Sequence, residues 1–469
     1  MRLITLINIL MSVFTGVGQS FTFTQLAEYE MSSIWPTVTL APRLDNLGRD
    51  YLYTANNEQG IRVFDISTVS TPVLVHDFPN TTFGGWKAMN LEQDGNFLYA
   101  SIGGIFSGAG VASTQATGLA IFDVTSPSTM FMTSYWDSVD IFQGTAVTKV
   151  VGNYAFLGGM EEGLVILDVS DPYDIRFVSH YVPDINFPSV PAPTSTVPNA
   201  RGMWVEGDLV YLAYDRGAFR IIDVSDVFNP VQLSQFVNPS LDAVAAKAYN
   251  NVEVRGTHAF IPVDYCGLDV VDISDPNAPI SAGWFDPWGC TFFNWLGGEG
   301  HSNELEFVND SILFMTGGHH DLMAINVSDP TNPVLVGEFG DPLDSLVVWG
   351  LDVQGGRVAL GYIDNISAIP YDSKWGGFKI LDWSMAVDLV SNETNAVRIF
   401  PNPSSGIFNF NGNVKNCTYK LYSITGGVID AGSMRSSFDL SLFPEGVYAL
   451  VVKQGEFIKV MKLILENED

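Results

Sequence analysis

The sequence predicts an all-β protein built from one recurring four-stranded unit, with a small second β unit behind it. Three observations carry this. A short block marked by an Asp, and once by an Asn, recurs seven times along the 469 residues. No helical apolar period of three to four residues appears inside the recurring units. The chain holds 44 Gly, 24 Pro and 12% aromatic residues, a composition of many short strands and tight turns.

The block is clearest as Gly60-Ile61-Arg62-Val63-Phe64-Asp65-Ile66-Ser67. It returns at 118–125, 163–170, 218–225, 267–274, 321–328 and 377–384. Its marker residues are Asp65, Asp123, Asp168, Asp223, Asp272, Asn326 and Asp382, with a mean spacing of about 53. Each unit reads as four strands, a to d, of which the block is c. Strands b and c are almost continuous apolar runs, as expected when neighbouring sheets cover both faces. A ring of seven four-stranded antiparallel sheets is a seven-bladed β-propeller. The last block has no strand d after it. Residues Phe21 to Tyr29 resemble the d segments and are expected to complete blade 7 and close the ring. Each marker acid is expected to accept backbone N–H groups at the c–d turn, as in Asp168 ahead of Ser170-Asp171-Pro172. That role accounts for every copy without invoking metal.

The marker blocks resemble the LVIVD repeat of secreted bacterial propellers, including the choice-of-anchor B group. Gly163 to Pro172 is nearly the family signature, and the resemblance spans residues 21–385. Asn326 and Trp383 depart from it. The resemblance implies a fold and no particular chemistry.

Residues 1–20 read as a secretory signal: Arg2, an apolar stretch from Leu3 to Val13, and small Gly18 and Ser20 before Phe21. No apolar run is long enough for a spanning helix, so no transmembrane anchor is expected. Residues 389–396 form a polar linker between the propeller, 21–388, and a small β-sandwich, 397–469. The latter carries Phe400-Pro401-Asn402-Pro403-Ser404-Ser405-Gly406, then Leu421-Tyr422-Ser423, then Leu440 to Tyr448, and a Lys-bearing end at Lys462. These segments resemble the C-terminal sorting domain of the type IX secretion system of Bacteroidetes-type bacteria. The resemblance implies that residues 397–469 engage the type IX machinery for export to the cell surface or medium.

Lys and Arg number 22 against 52 Asp and Glu, for a net charge of −30. That balance argues against nucleic acid and against anionic membrane surfaces. No phosphate loop, G-x-S-x-G elbow or HExxH motif is present.

Strand order places the a–b and c–d turns on one face and the b–c and d–a loops on the other. The second set is long and irregular, at 103–117, 183–200, 286–300 and 363–376, and is the expected binding face. Aligning the units places Arg43, Lys87, Ala146, Arg201, Asn250, Asn303 and Trp349 around the channel mouth there. Arg suits an anionic or sugar-like ligand and Trp349 suits stacking; plain pairing of the cations with nearby acids is the other reading. In blade 6, His301 is expected beside His319, His320 and Asp321. Such a set suits a divalent metal, the one cofactor the sequence raises, against the alternative of a polar surface loop. Cys266 and Cys290 fall on the same face of neighbouring segments and suit a disulfide if their Cα atoms approach within about 7 Å. The resulting reading is an exported propeller that binds a protein or glycan. A metal-assisted enzyme using the blade-6 histidines, and a structural surface protein, are the alternatives.

Overall fold

The structure, a computed structural model, describes residues 17–31, 41–103, 116–142, 144–188, 198–241, 247–290, 300–341, 344, 346–364, 373, 375–389, 398–411, 417–423, 428–454 and 457–466. The chain divides into two compact units, Phe21–Met385 and Met1–Ser20 with Ala386–Asp469.

The larger unit contains seven four-stranded antiparallel sheets. Blades 1 to 6 each use four consecutive strands. Blade 1 is Ala41–Leu44, Tyr51–Ala55, Ile61–Asp65 and Val73–Phe78. Blade 7 takes strands a to c from Val348–Gln354, Arg357–Tyr362 and Gly377–Leu389, and its outer strand from Val17–Glu30. The N-terminal strand therefore closes the ring. The seven a strands neighbour one another in sequence, and that of blade 7 returns to that of blade 1.

One apolar cluster fills each blade-to-blade interface, which is why strands b and c are buried on both faces. Phe21 packs between Phe314 of blade 6 and Trp383 of blade 7, with ring centroids 5.7 and 5.5 Å away. Tyr29 stacks on Phe378 at 5.4 Å and meets Phe64 of blade 1 at 4.7 Å.

The marker residue has a local job. Asp65, Asp123, Asp168, Asp223, Asp272 and Asn326 each accept the backbone N–H two residues on, at 2.7 to 2.9 Å. Asn supplies the same oxygen as Asp, so Asn326 preserves the turn. Asp382 instead accepts from the adjacent Trp383 N–H, and its chain runs on without a c–d turn. The Gly that opens the block is equally constrained. At Gly163 and Gly267 φ is +72° and +75°, and a Cβ would sit 2.5 and 2.1 Å from the carbonyl that ends strand d.

The b–c turns clasp the next blade. Asn57 and Asp215, both at positive φ, exchange paired backbone hydrogen bonds with Ala88 and Tyr249. The smaller unit contains a three-stranded and a four-stranded antiparallel sheet around Phe408, Tyr419, Leu421, Phe438, Leu450 and Leu463. The third cysteine, Cys417, is buried there.

Candidate functional site

Strand a lines the channel, and its register decides which side chains meet. Arg43, Glu92, Lys149, Trp204, Glu253, Glu306 and Asp352 occupy the same ladder position in the seven blades. This layer stitches neighbouring blades together. Glu253 accepts from Phe307 N at 2.9 Å, Glu306 from Val353 N at 2.9 Å, and Asp352 from Leu44 N at 2.7 Å. Arg43 continues the series by pairing with Asp352 and donating to the Leu91 carbonyl at 2.8 Å. Lys149 pairs with Glu92 at 3.5 Å. Burial pushes the carboxyls of Glu253, Glu306 and Asp352 above their usual range. Arg43, Glu92, Glu306 and Asp352 also line a cavity of about 150 Å³ near the a–b turns.

Three residues earlier along strand a lies the mouth on the b–c/d–a face. Ala146, Arg201, Asn250, Asn303 and Trp349 line one cavity there, of about 40 Å³, with Asn251 and Glu304. The alignment of Arg43 and Lys87 with this set needs correction. Arg43 sits three residues further along and belongs to the blade-stitching layer. Lys87 precedes a bulge between Ala88 and Asn90, so Met89 takes the mouth position. Lys87 is buried and pairs with Glu58 at 3.1 Å. Of the three cations placed at the mouth, Arg201 alone lines it. No carboxylate among the described residues forms an ion pair with it; its guanidinium lies 5.8 Å over the Trp349 ring. Asn303 donates to the Trp349 carbonyl at 3.0 Å and Asn250 to Ser302 O at 2.8 Å, so the asparagines also hold the mouth together.

Beneath Trp349 the site continues into buried polar groups. The His301 ring is 5.0 Å from Trp349 and 5.9 Å from Tyr265, and its Nε2 is 3.1 Å from Asp264 Oδ1. Burial drops the His301 pKa to about 3, so the imidazole is neutral, and pushes the Asp264 carboxyl well up. Burial also raises Asp215, which accepts from Asn199 at 3.2 Å. The Arg201 charge acts on all three groups. Among the described residues, Asp215 Oδ1 and Ser302 Oγ have no hydrogen-bond partner, and His301 Nε2 is the side-chain nitrogen beside Asp264.

The blade-6 histidines do not converge. The backbone runs as expected, with His301 N donating to Gly317 O at 3.3 Å. The side chains part from there. His301 turns to Asp264 of blade 5, His319 Nδ1 meets Leu346 O at 2.9 Å, and His320 Nδ1 meets Glu338 at 2.5 Å. Asp321 accepts from Tyr362 at 2.6 Å and lies 3.4 Å from Lys379, inside the blade 6–7 interface. Among the described residues no three His, Cys, Asp or Glu side chains are placed to share a metal ion. Cys266 and Cys290 are bonded, with Cα atoms 4.5 Å apart, tying the turn that carries Asp264 and Tyr265 to the following d–a segment. Much of the four long loops lies outside the described residues, as do residues 1–16 and 390–397.

Five stretches, residues 48–79, 146–182, 199–236, 248–286 and 316–341, match the LVIVD repeat, and residues 398–466 match the secretion system C-terminal sorting domain. The five repeats are blades 1 and 3 to 6. The unmatched blades are the two irregular ones: blade 2, with a long b–c insertion, and blade 7, built from both ends. A chain of the Mitotic Checkpoint Complex crystal structure superposes with a TM-score of 0.51 at 11% identity, over 76% of this chain and 92% of that one. The computationally designed Ika8 protein gives 0.44 at 11% identity, over 76% and 99%. No curated protein matches the chain. Fold and repeats together define an LVIVD-repeat β-propeller. This chain is one that carries a type IX sorting domain, which directs it through that system to the cell surface or medium. No helix among the described residues is long and apolar enough to cross a membrane.

Proposed function

We propose that the exported propeller is a binding module, taking a protein or glycan partner on its b–c/d–a face with Arg201 and Trp349 as anchors at the channel mouth. Residues 1–20 are removed on export in this reading, and residues 389–396 link the module to its sorting domain. The observation that carries it is the open mouth: a guanidinium not ion-paired with any carboxylate among the described residues, beside an indole and four asparagines. The cavity is small. A site of about 40 Å³ holds a few waters, so it admits one projecting group while the rest of the partner lies across the loops. The metal-assisted alternative needs His301, His319 and His320 together, and their separate partners give it no support. The test is binding of immobilised full-length chain to arrayed glycans and secreted proteins. A ligand lost on Trp349→Ala and Arg201→Ala supports the reading. A ligand bound equally by both variants removes the mouth from it.

A further inference from the structure

We infer that the group seated at the mouth is a single carboxylate of a protein partner, on an acidic side chain or a chain end, held by the Arg201 guanidinium. This rests on the binding reading above and names the group that the mouth takes.

The argument starts from charge. Arg201 lines the cavity, and among the described residues it pairs with no carboxylate and donates no hydrogen bond. A guanidinium carries only donors, so its N–H groups await an acceptor. The buried acids on which its charge acts do not cancel it. Burial holds the Asp264 carboxyl well above its usual range and raises Asp215 in the same direction, toward the neutral form. The mouth is therefore a local cation on a chain of net charge −30. Two amides add to it. Asn90 lines the same cavity, and Asn251 Oδ1 accepts from Val252 N at 2.8 Å, which leaves the Asn251 Nδ2 as its open donor.

The shape of the site narrows the anion. The planar fork of Arg matches the planar oxygens of a carboxylate. No second Lys or Arg lines this cavity among the described residues, so a doubly charged phosphate would stay half neutralised. The Trp349 ring is already covered, by Arg201 at 5.8 Å and His301 at 5.0 Å. The indole steadies the guanidinium and gives a sugar no open face on which to stack. A uronate carries its carboxylate directly on a ring, which a cavity of about 40 Å³ does not admit. An Asp or Glu side chain, or a chain end, presents the same group on a narrow stem.

Glu304 supplies a test of opposite sign. It shares the cavity wall and accepts from Leu351 N at 3.2 Å. Its carboxyl also feels Arg43, Lys149 and Asp352, and burial raises it to about 7. Above neutral pH it is ionised and opposes an incoming carboxylate. Glu304→Gln keeps an acceptor for Leu351 N and removes that opposition.

The experiment titrates the full chain calorimetrically, at low salt and mildly alkaline pH. The acidic probes are N-acetylglutamate amide and N-acetylaspartate amide for side chains, and N-acetylglycine for a chain end. Their neutral matches are N-acetylglutamine amide and N-acetylglycine amide, and methyl glucuronoside represents acidic sugars. The expected result is that one class of acidic probe binds about tenfold or more tighter than its neutral match, the effect of a charge-assisted contact. Which class does so identifies the source of the carboxylate. Arg201→Gln abolishes the difference and Glu304→Gln strengthens binding. Each variant is melted alongside, and if Arg201→Gln does not fold, the gain in Glu304→Gln decides. Equal binding of acidic and neutral probes overturns the inference, as does acid binding that survives Arg201→Gln or weakens in Glu304→Gln. Arg201-dependent binding of methyl glucuronoside alone overturns it too, and leaves the binding-module reading intact. Failure of every probe overturns the inference; a partner that depends on Arg201 and Trp349 in the array test then keeps the binding-module reading, and the lack of one removes both.

Discussion

Phe21→Ala tests ring closure by the N-terminal strand with one side chain. Phe21 is 6% exposed and makes aromatic contacts to blade 6 through Phe314 and to blade 7 through Trp383. Truncating a buried Phe costs about 3–5 kcal/mol, and the two ring pairs place this site in the middle of that range, at about 4 kcal/mol. The unit Phe21–Met385 has an unfolding entropy of about 0.8 kcal/mol per kelvin by size. The loss therefore lowers the melting temperature by about 5 °C. The assay is differential scanning calorimetry on the chain beginning at Phe21. Leu442→Ala is the control, because Leu442 is 96% exposed and its removal should leave the transition in place. A Phe21→Ala melting temperature within about 1 °C of wild type would refute the closure.

Three further outcomes follow from the same geometry. Cys266→Ser opens a 24-residue separation; chain entropy predicts a loss of about 3.5 kcal/mol, seen as a melting point about 4–5 °C lower without reductant and unchanged with it. Asp168→Ala removes the Ser170 N–H acceptor and costs about 1 kcal/mol, whereas Asp168→Asn is silent, as Asn326 already is in blade 6. The pH profile has a defined sign. Glu304 is raised to about 7 and Asp269 and Asp321 to about 6, so their contributions are full at acid pH and lost as pH rises through those values. His301, lowered to about 3, acts oppositely below 6.5. Between pH 8 and 5.5 the carboxyls win by roughly 2 kcal/mol. Acid also relieves self-repulsion, because residues 397–469 hold seven cations and seven anions and the excess negative charge falls on the rest of the chain. Melting temperature should therefore be higher at pH 5.5 than at pH 8; the reverse order would contradict the buried-carboxyl account.

The architecture was legible because it is written seven times. A repeated Asp, a Gly opening five of the seven blocks and a missing last strand d were enough to read the blades and to pair Phe21–Tyr29 with blade 7. The position of Ala146, Arg201, Asn250, Asn303 and Trp349 around one cavity was legible for the same reason. Lys87 was displaced because the alignment assumed an unbroken a strand, while blade 2 bulges between Ala88 and Asn90; Arg43 was aligned three residues out of register on a strand without a bulge. The histidines misled for a different reason. Register put the His301 backbone beside Gly317, but register within a blade says nothing of the neighbouring blade, and His301 spends its side chain there. Asp264 went unnoticed because it lies in the b–c turn of blade 5, and only the ring brings it to Arg201 of blade 4; Asp215 lies in the b–c turn of Arg201's own blade.

The most direct test of the central claim is a hydrogen-exchange footprint of the full chain with its best arrayed ligand. The account predicts slowed exchange in peptides covering residues 198–206, 247–252, 300–305 and 346–352, abolished by Trp349→Ala. Protection confined to the outer d strands or to the a–b turn end of the channel would contradict it.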